Sequence, residues 1–132
     1  MKHLVLEKGS AYPLGANRCV EGINFSLFSG AATQVVLHLF PPGASNPDYK
    51  IIFNPQKNKT GSIWHLLIKN LAEDMEWEYG YQLDGNNEDP KNHFHPDIIL
   101  LDPYSKYLNT HNQWGVKQKP LRGKIYPPSS FD

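Results

Sequence analysis

Two carboxylates lie close together in the sequence, at Glu76 and Glu78. A pair of carboxyl groups can hydrolyse a glycosidic bond when the groups flank the bond from opposite sides, roughly 5 Å or more apart. Residues at positions i and i+2 of a strand point to the same face, so these two side chains cannot straddle a substrate. We therefore expect them to lie on a solvated strand face and to take no part in catalysis.

Two imidazoles, His93 and His95, have the same spacing and could supply two metal ligands from a strand. Zinc sites normally take three or four ligands from Cys, His and carboxylate side chains. Neither the single cysteine, Cys19, nor the other histidines stand at a spacing that completes such a set. The sequence also contains no nucleophile elbow, Gly-rich phosphate loop or Cys-x-x-Cys pair. We expect no metal, no cofactor and no catalytic residue in this chain.

The chain is rich in aromatic residues, with three Trp and seven Tyr. Aromatic rings offer large apolar faces that suit stacking on sugar rings. Only one of the neighbours Trp64 and His65 can face a core, because they are adjacent on a strand. Trp114 lies in the polar segment 112–115, and it is the tryptophan that we expect to be exposed.

The stretch 76–85 carries apolar side chains at every second position, which predicts a half-buried strand with an aromatic inner face. Residues in such a face belong to the core and cannot bind a ligand. Asp84-Gly85 supplies turn chemistry at the end of the strand. The alternating apolar residues are Trp77, Tyr79, Tyr81 and Leu83.

Short strands separated by turn residues account for most of the remaining chain. Segment 33–40 is apolar on both faces, which predicts a central strand covered on both sides. Segments 9–15 and 54–61 indicate irregular structure, and 104–108 indicates a turn of helix. We predict an all-β fold, an Ig-like antiparallel β-sandwich of about seven strands, with a small closed barrel as the alternative. The predicted strands are 23–27, 33–40, 49–53, 62–68, 76–85, 98–101 and 124–126.

The length of 132 residues indicates one domain, 1–132, with an irregular lead-in at 1–20 and a linker-like tail at 109–132. The formal net charge of zero argues against nucleic acid as a partner. No apolar run approaches the ~20 residues that cross a bilayer, so we expect no membrane partner.

Since Cys19 stands alone, no intrachain disulfide can form, and the expected location is the cytoplasm or a plastid. The sequon at Asn58 would matter only in a secreted protein.

Six segments, in order along the chain, resemble the N-terminal module of isoamylase-type starch and glycogen debranching enzymes. That module is a β-sandwich of carbohydrate-binding module family 48, and its parent enzymes belong to glycoside hydrolase family 13. The resemblance covers nearly the whole chain and includes a Tyr-Gly-Tyr-x-x-Asp-Gly strand and a Leu-Leu-Asp-Pro-Tyr segment. The matching segments are 9–16, 22–29, 59–65, 79–85, 99–106 and 127–132.

The resemblance implies that the chain is one part of a larger enzyme. Enzymes of this kind hydrolyse α-1,6-glucosidic branch points with carboxylates on a (β/α)₈ barrel, which needs about 250 residues of its own. The chain would then be a non-catalytic scaffold that packs against that barrel and adds an accessory contact to the α-glucan. We expect Asp102, Tyr104 and Lys106 to anchor the chain's exit toward the barrel.

The sequence departs from the strong glycogen binders of the same family at two places. Those proteins have a Lys between the aromatic pair of the central strand and a Trp just after the Asp-Gly turn. Here the corresponding residues are Gly80 and either Asn86 or Asn87. The expected sugar contacts are therefore Trp114, Asn86 and Asn87. Two alternatives stay open, namely a stand-alone module that targets a partner to starch or glycogen, and an Ig-like interaction domain without sugar binding.

Overall fold

The computed structural model describes residues 3–30, 32–72, 75–85 and 123–125. Within these ranges the chain forms nine β-strands and no helix. The strands build two antiparallel sheets, so the predicted all-β class is confirmed. The strands are β1 (Leu6–Glu7), β2 (Gly15–Cys19), β3 (Gly22–Phe28), β4 (Ala32–Phe40), β5 (Tyr49–Ile52), β6 (Lys59–Thr60), β7 (Ile63–Ile68), β8 (Trp77–Gly85) and β9 (Gly123–Ile125).

The first sheet, which we call sheet A, has the order β1-β7-β3-β2. The short strand β6 also pairs with β7, beside β1. The register places Ser26 opposite His65 and Phe25 opposite Leu66 at the centre of the sheet. Because side chains alternate along each strand, Phe25 and Leu66 point toward the second sheet, whereas Ser26 and His65 point away from it.

The second sheet, sheet B, has the order β5-β4-β8-β9. The predicted central position of segment 33–40 is confirmed, since β4 pairs with β5 on one side and with β8 on the other. Both faces of β4 also carry buried residues. Leu37 and Leu39 face the core, while His38 and Phe40 are buried on the opposite face. Pro41 and Pro42 follow directly, and proline cannot continue the ladder.

The core lies between the two sheets and is dominated by aromatic and branched side chains. Rings from the two sheets meet edge to face, with the Phe25 and Tyr79 centroids 5.5 Å apart. Neighbouring rings on β8 do the same, with Tyr79 and Tyr81 6.0 Å apart. Each such pair adds about 0.5–1.5 kcal/mol beyond the burial of its surface. The aromatic face predicted for residues 76–85 is therefore the centre of the core.

Three strands were not predicted from the sequence. β1 and β2 lie in the lead-in, which is thus not irregular throughout, and β6 lies in the loop 54–61. β1 and β6 have two residues each, too few to show a period. β2 is a polar edge strand without apolar alternation. The predicted strand at 98–101 and helical turn at 104–108 lie outside the described residues.

Candidate functional site

The aromatic residues of β8 are unavailable to a ligand. Trp77, Tyr79 and Tyr81 are 2%, 0% and 1% exposed, as their spacing predicted. The indole N–H of Trp77 donates to the Ala72 carbonyl oxygen at 2.9 Å, which satisfies its polar group inside the core. Trp64 is equally buried. Within the described residues, no tryptophan side chain is exposed as a platform for a sugar ring.

The face of sheet B that points away from sheet A contains Gly80, the residue between the aromatic pair of β8. The register sets Gly80 opposite His38 and Glu78 opposite Phe40. All four residues are buried, and Gln82 beside them is half-buried. We call these five residues the outer floor of sheet B.

His38 is the titratable centre of the outer floor. Its Nε2 lies 2.6 Å from Gln82 Oε1, and since that oxygen can only accept, Nε2 donates the hydrogen bond. Nδ1 is then an acceptor, and it has no hydrogen-bond partner among the residues that the structure describes. Burial lowers the pKa of His38 from 6.5, the hydrogen bond to Gln82 opposes this, and the charge of Lys50 adds to the lowering. The imidazole therefore favours its neutral form.

Glu78 corrects a prediction, because it is 2% exposed and not part of a solvated face. Its Oε2 accepts a hydrogen bond of 3.0 Å from the backbone N–H of Gly43. The turn after β4 is closed by a second bond, from Ala44 N–H to the Pro41 carbonyl oxygen at 3.0 Å. The carboxylate thus holds the turn against the outer floor, which is a structural role. Glu76 is half-buried.

His65 is buried as well, although its neighbour Trp64 faces the core. Its ring lies on the outer face of sheet A, where Thr60 Oγ1 approaches Nε2 at 2.7 Å. The expectation that only one of the two faces the core is met, but the other face of this strand is covered too. Alternation along the strand gives no signal for such a cover.

The predicted site residues all lie outside the described residues. This applies to the three expected sugar contacts, to the three expected barrel contacts and to the two spaced histidines. Their placement and their distances from the outer floor therefore stay predictions. The residues are Trp114, Asn86, Asn87, Asp102, Tyr104, Lys106, His93 and His95.

The structure also places Cys19 and the sequon residue Asn58. Cys19 is a free, exposed thiol at the end of β2. Asn58 of the sequon is 8% exposed. Its Oδ1 accepts a hydrogen bond of 3.0 Å from the Asn54 N–H, so its side chain is bound within its own loop. Among the residues described, no group of three or more His, Cys, Asp or Glu could hold a metal ion. The same residues include no helix with the length and apolar character to span a bilayer.

The sandwich has counterparts among solved structures, and this defines its fold class. One is a pullulanase from Paenibacillus barengoltzii in complex with maltotriose, with a TM-score of 0.52 and 16% identity over 75% of this chain and 13% of that one. Another is the product complex of SpuA, a multi-modular glycogen-degrading pneumococcal virulence factor. It aligns with a TM-score of 0.53 and 19% identity over 76% of this chain and 10% of that one.

The match to a family model assigns the chain to a family and not only to a fold class. Residues 13–105 match carbohydrate-binding module 48, described as the isoamylase N-terminal domain, and the chain belongs to this family. It is 36% identical over 118 residues to the chloroplastic isoamylase 3 of Oryza sativa subsp. japonica, covering 84% of this chain and 15% of that protein. It is 36% identical over 105 residues to a glycogen debranching enzyme of Yersinia enterocolitica, covering 79% and 15%. The chain therefore spans about one-seventh of the length of these curated relatives.

Proposed function

We propose that this chain is the N-terminal, non-catalytic module of an isoamylase-type enzyme that hydrolyses α-1,6-glucosidic branch points of starch or glycogen. The observation that carries the proposal is the match of residues 13–105 to the isoamylase N-terminal domain. The share of the relatives that the chain spans, 15%, supports a module beside a larger catalytic part. The partner is then a (β/α)₈ catalytic domain in the same protein.

The role of the module is mainly that of a scaffold, with an accessory contact to the α-glucan. Two features of the outer floor support this assignment. The residue between the aromatic pair is Gly80, which offers no cation or hydrogen-bonding side chain to a sugar hydroxyl. Its neighbours His38 and Glu78 are buried and engaged by Gln82 and Gly43. The accessory contact falls to Trp114, Asn86 and Asn87.

The cellular location follows from the relatives and from the lone cysteine. The plant relatives are chloroplastic isoamylases, and the bacterial relatives are glycogen debranching enzymes. Storage α-glucans are made inside the cell, where a free thiol such as Cys19 stays reduced. We assign the protein to the cytoplasm, or to the plastid if the source is plant-like.

The test is a titration of the isolated module with maltoheptaose and with β-cyclodextrin, followed by tryptophan fluorescence. A scaffold gives no saturation below about 10 mM, which corresponds to less than about 3 kcal/mol of binding free energy. Saturable binding at lower concentration that is lost in Trp114→Ala would indicate the stand-alone sugar-targeting module instead. Trp64→Phe serves as the control. It removes the fluorescence of a buried indole but leaves every proposed sugar contact in place.

A further inference from the structure

The outer face of sheet A carries a row of buried polar side chains that the fold of the sandwich does not require. Asn24 and Ser26 lie on β3, and His65 lies on β7 directly opposite Ser26. Their exposed fractions are 7%, 0% and 1%. Burying a polar side chain without a partner costs roughly 1–3 kcal/mol, so such a row needs a partner that covers it.

The partner is the backbone of the N-terminal segment. Residues 3–11, which we call the strap, run across this face before β2 begins. Four hydrogen bonds connect the row to the main chain of the strap and none of them involves a strap side chain. They run from His65 Nδ1 to the Lys8 carbonyl oxygen (2.7 Å), from Ser10 N–H to Asn24 Oδ1 (2.8 Å), from Asn24 Nδ2 to the Ser10 carbonyl oxygen (2.9 Å) and from Ser26 Oγ to the Ala11 carbonyl oxygen (2.5 Å).

The same kind of recognition recurs at the other end of the strap. The Asn70 side chain accepts the Val5 N–H at 2.5 Å and donates to the His3 carbonyl oxygen at 2.8 Å. Like Asn24, Asn70 thus imitates a peptide group and pairs with an N–H and a C=O of the strap. We call Asn24, Ser26, His65 and Asn70 together the backbone slot.

The side chains of the strap make few contacts: Leu4 packs against the core, and Glu7 forms an ion pair of 3.1 Å with Lys69. The side chains of residues 5–8 and of Ser10 are exposed. Strand pairing with β7 involves Leu6 and Glu7, and just beyond β7 the Lys69 N–H donates to the Val5 carbonyl oxygen at 2.9 Å. Two cavities of about 430 and 440 Å³ flank the strap, and Glu7 and Lys8 line both of them. The strap is therefore bordered by open space on two sides and held mainly by polar contacts, with Leu4 as its apolar anchor.

Gly9 is the one strap position where the slot selects a residue type. Its φ is +75°, in the left-handed region that favours glycine. A Cβ at this position would lie 2.6 Å from Asn24 Oδ1 and 2.8 Å from the carbonyl carbon of Leu66. Because Leu66 belongs to the sheet backbone, the clash cannot be relieved by a rotamer change.

We propose that the backbone slot is a binding site for an extended peptide segment with glycine at the Gly9 position. In this chain the strap occupies the slot in cis, and the strap of a second copy occupies it in trans when the cis strap is released. The exposed residues Tyr12 and Pro13 connect the strap to β2, so the strap can leave without disturbing that strand. The proposal does not depend on the proposed function.

The test uses the full chain with Gly9→Ala, which weakens the cis strap and leaves the slot intact. A fluorescent synthetic peptide of residues 3–13 is titrated into the variant and into the unchanged protein. We expect saturable binding to the variant and at least tenfold weaker binding to the unchanged protein, whose slot is filled. The same peptide with alanine in place of its glycine should bind at least tenfold more weakly. Gly61→Ala is the matched control, because that glycine also has positive φ but has nothing within 4 Å of its Cβ position.

Ser10→Pro provides a second route to the released state. It removes the N–H that Asn24 accepts, at an exposed position away from the core. Amide exchange of Val5 and Ser10 reports release directly in the Gly9 variant, and Val5 reports it in the Ser10 variant. The proposal is wrong if the strap amides stay protected in both variants. It is equally wrong if they lose protection and the peptide fails to bind, or if the peptide binds the Gly61→Ala control as tightly as the Gly9→Ala variant.

Discussion

Gly22 lies directly against the backbone of Ile68, at the point where β3 and β7 meet. A Cβ on Gly22 would overlap the Ile68 carbonyl oxygen and lie 2.9 Å from the Lys69 Cα. The contact lies where the start of β3 meets the end of β7, between the two inner strands of sheet A and next to the turn that joins β2 to β3. Only glycine lets the two backbones approach so closely.

We therefore expect Gly22→Ala to destabilise the fold by about 2 kcal/mol or more, because backbone must move to make room. Urea unfolding followed by far-UV circular dichroism measures the change. The matched control is Gly30→Ala, whose Cβ would meet nothing closer than Ser62 Oγ at 3.6 Å, an ordinary contact. Equal losses in the two variants would contradict the argument from close approach.

The stability of the protein should fall as the pH drops below 6.5, through His38. Burial lowers the pKa of this group in the folded state, so below 6.5 the unfolded chain takes up the proton more readily than the folded chain. The contribution of His38 is complete above pH 6.5 and is lost as the pH falls toward the folded-state pKa. One such group changes the free energy of unfolding by at most about 1.4 kcal/mol per pH unit.

Urea unfolding at pH values between 5 and 8 measures this slope. His38→Gln is the comparison, since glutamine keeps an amide beside Gln82 but does not titrate. The other histidines are present in both proteins, so the difference between the two pH profiles isolates His38. Parallel profiles would show that His38 does not resist protonation in the fold.

Glu78 should stabilise the fold because its carboxylate oxygen accepts the hydrogen bond from the Gly43 N–H. Glu78→Ala leaves the Gly43 N–H without this acceptor inside the turn, and we expect a loss of about 1–3 kcal/mol. Glu78→Gln retains an acceptor oxygen and should cost less. Amide exchange at Gly43 gives a local readout, with faster exchange expected in the alanine variant than in the glutamine variant. The reverse order would exclude this carboxylate as the group that closes the turn.

The proposed barrel contacts can be tested in a full-length relative of this module. We expect Asp102→Ala, Tyr104→Ala and Lys106→Ala to lower the melting temperature of the complete enzyme, with a loss of about 1–2 kcal/mol for each contact. The same substitutions in the isolated module supply the control, because there the barrel is absent. An unchanged melting temperature of the full-length variants would remove these residues from the interface.

The sequence was sufficient to locate the inner face of the sandwich. The period of two over 76–85 assigned Trp77, Tyr79 and Tyr81 to the core, and all three are buried there. The two apolar faces of 33–40 likewise indicated a central strand, which β4 is. These inferences succeed because the alternation is a local property of the chain, and burial follows it on whichever face meets the other sheet.

The outer faces could not be predicted in the same way. Glu78 and His65 are polar residues on alternate positions, and alternation alone places them in solvent. They are buried because the turn at Gly43 covers one and the strap at Lys8 covers the other. Both covers come from residues 35 and 57 positions away, and they bind through backbone atoms. A backbone donor or acceptor has no signature in the amino-acid sequence, so such a partner cannot be read from residue types.

The covering of β7 also bears on aggregation. Ile63–Ile68 is a six-residue stretch with high β propensity and no proline, glycine or carboxylate, the composition of segments that stack into cross-β fibrils. Its outward edge is paired by three small pieces, namely β6, the Asn58 carbonyl oxygen on the His65 N–H, and β1. The strap thus covers the last part of this edge, and its removal would leave the backbone of Leu67 and Ile68 open to pairing with a strand of another chain.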